Sequence, residues 1–121
     1  MLIVKYAADG NCYPDHAMHD IVKEKIKEYL ENHRVNNEDM VVCVSNELAF
    51  NYFVLFAMKN MIDYDDIELY YNNKKCIINQ YVGIKFADDS NADEGLYTQC
   101  LDEILKIGFA NIKRDGERRR I

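Results

Sequence analysis

The chain is poor in the residues that interrupt regular structure, with one proline and five glycines among 121 residues. Long helices and strands are therefore expected. It has no tryptophan. No apolar run approaches the ~20 residues of a membrane span. The opening "MLIVKYAADG" holds enough for a strand but not for a secretory leader. A cytoplasmic protein with no membrane partner is the expectation. Basic side chains, 15 in all, are outnumbered by 21 acidic ones. A formal net charge of -6 argues against general nucleic-acid binding, which needs a basic face. The cysteines Cys12, Cys43, Cys76 and Cys100 form no CxxC pair, and three lie in apolar runs. They read as reduced, small hydrophobes. No Gly-rich phosphate loop ending in Lys-Ser/Thr occurs, so nucleotide hydrolysis of that kind is excluded.

What is present suffices for a core. Hydrophobic residues make up 49% and aromatics 12%, and the length suits one domain. The last twelve residues carry five basic and two acidic side chains. This pattern predicts a domain over 1–112 and a basic, flexible tail over 113–121.

"LIVKY" (2–6) reads as a buried strand. From Pro14 to about Asn32 the pattern is helical, with Met18, Val22, Ile26, Tyr29 and Leu30 on one face. "NNED" (36–39) is a turn and "MVVCVS" (40–45) a second strand. The next helix, roughly 46–62, is apolar nearly all round. It must be covered on more than one side, by the sheet and a neighbouring helix or by a partner chain. "IELYY" (67–71) and "KKCIIN" (74–79) flank Asn72-Asn73, a pair able to take the positive φ of a tight hairpin turn. Residues 82–86 are either a further short strand or the hairpin's continuation. A capping box, Asn91 with Glu94, precedes a last helix over about 92–109. The order β-α-β-α-β-β-α predicts a single small α/β domain with helices packed on a mixed sheet. Parallel strands are joined by right-handed crossovers, and a hairpin adds antiparallel strands on the C-terminal side.

Ligands bind such sheets beyond the carboxyl ends of the parallel strands. That rule places a binding rim at Asp9, Asn11, Ser45, Asn46 and Glu47, beside Cys12. With a helix starting near Cys12, the spacing brings Cys12, His16 and His19 within an arc of about 60°. A thiol at a helix N-terminus is acidified, and a histidine one turn on can serve as its base. The same three residues could instead ligate zinc, although their spacing is not that of the common structural sites. The plain alternative is a polar turn and helix cap: no cofactor, and no metal. Residues 63–66 and 87–90 are acidic but lack a calcium-loop pattern.

"DGNC" (9–12), between a strand and a helix, resembles the nucleophile loop of ovarian-tumour (OTU) class cysteine proteases. The resemblance implies Cys12 as nucleophile and Asp9 as a shaper of the oxyanion loop. It covers four residues. Pro14 stands where that family carries an aromatic, and no histidine follows His33 to act as the late base. Residues 40–78 are similar in layout to the closing strand-helix-strand of bacterial AAA/ABC-type ATPases. With no phosphate loop present, this second likeness implies a companion of such ATPases, as in bacterial defence systems.

Two functions are therefore carried forward. The first is a non-enzymatic interaction or accessory module that binds a protein partner or a second copy of itself. Its candidate contacts are Phe50, Phe53, Tyr70 and Tyr71, because a helix too apolar for one sheet face needs further cover. The second is a cysteine-dependent hydrolase or small metal site built from Cys12, His16 and His19. The Asn- and Lys-rich composition points to an AT-rich bacterial or phage genome.

Overall fold

The computed structural model describes residues 1–79, 83–86 and 101–118. The elements run β1 (Leu2–Asn11), α1 (Met18–Glu28), β2 (Met40–Val44), α2 (Glu47–Met58), β3 (Ile67–Tyr71), β4 (Lys74–Asn79), β5 (Gly83–Phe86) and α3 (Leu101–Arg118). Within these residues the strands form one sheet in the order β2-β1-β3-β4-β5. β1 is parallel to both its neighbours, and the β3-β4 and β4-β5 pairs are antiparallel. The mixed α/β architecture read from the sequence is the one observed, and the stretch near 82–86 is a strand of its own. The Asn91–Glu94 capping box, residues 92–100 of the last helix and residues 119–121 lie outside the described residues. Residues 113–118, expected as a flexible tail, instead continue α3 to Arg118.

Alternation along the strands sorts their side chains cleanly. The cross-strand rows Met40-Leu2-Ile67 and Val42-Val4-Leu69 point to one side and are buried. Ile3, Lys5, Val41, Cys43, Glu68, Tyr70, Lys75 and Ile77 alternate to the other side, and none of them is buried. All the described helix packing falls on the first side. α2 lies on the sheet, with α1 against one flank and α3 also against it. The step from β1 to β2 and the step from β2 to β3 run in opposite directions across the sheet. Two right-handed crossovers would therefore place α1 and α2 on opposite faces. The packing of α1 on α2 puts both on one face instead.

This arrangement explains the all-round apolar helix. Phe50 and Phe53, at 0% exposure, are sealed inside the chain's own core. Each contributes on the order of 1.5–3 kcal/mol by burial. They are core residues and offer no surface to a partner, contrary to the sequence expectation. The elements end on local chemistry. Asn72 and Asn73 take φ of 48° and 69° in the β3-β4 turn, as the paired asparagines predicted. Asn60, at φ 65°, closes α2: the Asn60 N–H donates to the Ala57 carbonyl and the Met61 N–H to that of Phe56. This is the left-handed helix stop that glycine usually provides.

Candidate functional site

The carboxyl ends of β1, β2 and β3 meet the start of α2, as the rim reading required. The Ser45 N–H donates to the Asn11 carbonyl at 2.9 Å, and the Asn72 N–H to that of Tyr6 at 3.0 Å. β1 pairs with Val44 twice, at Tyr6 and again at Asn11, so residues 7–10 bulge out between the two pairings. Asn46 precedes α2 but makes no side-chain cap for it. Its amide spans the two loops instead: Oδ1 accepts the Tyr13 N–H at 2.8 Å, and Nδ2 lies 3.5 Å from the exposed Cys12 Sγ.

Beneath this bridge sits an aromatic cluster. Tyr6 and Tyr71 stack with ring centroids 4.6 Å apart and planes 6° from parallel. Phe50 meets both edge-on, at 6.3 and 6.0 Å. The Tyr71 hydroxyl donates to Glu47 Oε1 at 3.1 Å. Burial, and secondarily the Glu47 carboxylate, push the Tyr6 phenol above its ordinary value. Glu47 lies in the first turn of α2, where the helix dipole favours an acid. A carboxylate already holds that position, so the rim is ill suited to an anion.

The structure thus brings together Asn11, Cys12, Ser45, Asn46 and Glu47, with Phe50 and Tyr71 below them. It does not assemble the catalytic or metal set. α1 begins at Met18, after a turn in which the Ala17 N–H donates to the Pro14 carbonyl at 3.1 Å. Cys12 therefore lies six residues ahead of the helix and does not open it. The His19 ring packs edge-on to Tyr52 and Phe56, at 5.6 and 5.0 Å, and its Nδ1 is 3.3 Å from Asp20 Oδ1. His16 is exposed, as is Asp9 in the bulge. The neighbour of the Cys12 thiol is a side-chain amide, which cannot act as a base. Among the described residues, no group of three or more His, Cys, Asp or Glu is placed to hold a metal ion. Nor is any described helix long and apolar enough to cross a membrane.

Tyr6 and Tyr13 were missed in the sequence. Tyr6 was legible in principle. It continues the inward set Leu2-Val4, Tyr71 continues Ile67-Leu69, and parallel pairing sets the two side by side. Tyr13 had no periodic signal. Comparison with protein families, with curated proteins and with solved structures finds no match for this chain.

Proposed function

We propose that the protein is an interaction or accessory module whose docking surface is the sheet face on which none of the described helices packs. The supporting observation is the composition of that face. Val41 and Ile77 are 59% and 53% exposed, and Ile3, Cys43 and Tyr70 are half-buried beside them. In cross-strand register, Lys5 lies between Cys43 and Tyr70, and Tyr70 lies opposite Lys75. The Tyr70 hydroxyl is held by Glu68 Oε2 at 2.9 Å. Apolar and tyrosine side chains among fixed charges are the make-up of protein interfaces. β2 is an edge of the described sheet and adds a free strand border to the same surface. A place beside a bacterial ATPase rests on the layout resemblance of residues 40–78 alone. The alternative, a hydrolase or metal site at Cys12, His16 and His19, has no convergence of those groups to support it.

The test is affinity purification of the tagged full chain from its native cell, beside the variant Val41→Glu/Ile77→Glu. The wild type should retain a defined partner in stoichiometric amount, and the variant should lose it with an unchanged urea midpoint. Equal retention by both, or no partner for either, would overturn the proposal.

A further inference from the structure

A second surface, away from the open sheet face, carries an inference independent of the function just proposed. The outward side of α1 forms a shallow groove of about 500 Å³ in which Ile21 is flanked by Asp20, Glu24, Glu28 and Glu31. Lys25 and Lys27 also line it, with Lys25 3.9 Å from Glu28, so carboxylates outnumber ammonium groups. The outward side of α3 has the complementary make-up. Phe109 is 67% and Ile112 51% exposed, and the neighbouring Lys106 and Lys113 are exposed too. At 100° per residue these four share one side with Gly116, around whose Cβ position nothing lies within 4 Å.

We infer that α3 of one copy docks along the α1 groove of a second copy, head to tail. The dimensions agree. Lys106 and Lys113 are seven residues apart on α3, a span of about 10 Å, and Glu24 on α1 and Glu31 in the π-helical turn that continues it (Tyr29–His33) are seven apart as well. An antiparallel docking that sets Lys106 by Glu31 and Lys113 by Glu24 brings Ile21 over Gly116, where α3 has no side chain. Phe109 then rests on the aliphatic stems of the groove's charged residues. A symmetric pairing of α3 with α3 would instead bring like-charged lysines together. Because the two contacting surfaces differ, a pair joined by one contact keeps one α1 groove and one α3 surface free, and the contact propagates into chains or closes into a ring. Exposed ion pairs are screened by salt, so the association weakens as ionic strength rises.

Sedimentation of the full chain over a range of concentrations tests this inference with three variants. The wild type should self-associate. Phe109→Asp and the double variant Glu24→Arg/Glu28→Arg should each weaken association at least tenfold while keeping the wild-type circular dichroism. An equimolar mixture of those two variants retains one intact contact and should form a 1:1 heterodimer that neither forms alone. Val41→Glu/Ile77→Glu, on the sheet face, should associate like the wild type, which separates this inference from the proposed function. A monomeric wild type, association that survives Glu24→Arg/Glu28→Arg, or a mixture that stays monomeric would overturn it.

Discussion

At Asn37, Asn60, Asn72 and Asn73 the backbone takes positive φ, a conformation that costs most L-residues energy and that asparagine tolerates. A chain with five glycines thus stops helices and closes its hairpin with asparagine, so part of its asparagine content has a structural use. Asn46 uses its side chain instead, to tie two loops together. Asn51 fits neither pattern. It is 1% exposed within α2, and neither its amide nitrogen nor its amide oxygen has a hydrogen-bond partner among the described residues. Leaving buried polar atoms unpaired costs on the order of 1–3 kcal/mol, whereas leucine there adds apolar contacts. Asn51→Leu should therefore stabilise the protein by about 1–2 kcal/mol, read as a higher urea midpoint at unchanged slope. A lower midpoint would mean that the amide has a structural role that the fold geometry does not reveal.

β1 marks where element boundaries were legible and where they were not. The run "LIVKY" specified the strand's first half through its alternation, and that half forms the pairs with β2 and β3. The second half, reached across "AADG", carries turn residues and no period. Only the return of Asn11 to Val44 makes it part of the sheet. Gly10 permits that return, since a Cβ there would lie 2.6 Å from the Val44 carbonyl carbon and 2.8 Å from its nitrogen and oxygen. The obstacle is backbone in a paired strand, which cannot swing aside as a flexible side chain can. Gly10→Ala should cost about 1–3 kcal/mol and speed hydrogen exchange at the Ser45 amide, which donates to Asn11. An unchanged midpoint and unchanged exchange would show that the bulge can reform around a methyl group. The same boundary decided the opening cluster. A helix starting near Cys12 would have aligned Cys12 with His16 and His19, but the Pro14–Ala17 turn delays α1 to Met18. The hairpin was legible because Asn72-Asn73 fix a turn locally. What covers α2 was not, because its apolar pattern names no partner.

Among the described residues the helices pack on one side of the sheet, and the alternation along the strands agrees: Lys5, Glu68 and Lys75 all fall in the set facing away from the core. One-sided packing also concentrates tyrosines at the border of the core, and their protons link stability to alkaline pH. Burial is the leading cause that raises the phenols of Tyr6, Tyr13, Tyr29 and Tyr64, while at Tyr70 it is the hydrogen bond to Glu68. For Tyr29, Asp66 and Asp39 push the same way and Arg34 opposes them. The native state therefore holds these protons more tightly than the unfolded chain, whose tyrosines titrate near 10.0. The stabilisation is complete below that pH and is lost as the pH rises through the higher native values. Urea midpoints followed from neutral pH to about pH 11.5 should accordingly be unaffected by tyrosine ionisation up to about pH 10 and fall beyond it. Lysine deprotonation contributes to any alkaline loss, so the decisive comparison is Tyr29→Phe, which keeps the buried ring and removes the proton. That variant should lose less stability than the wild type over the same alkaline interval, and identical alkaline curves would remove Tyr29 from the account.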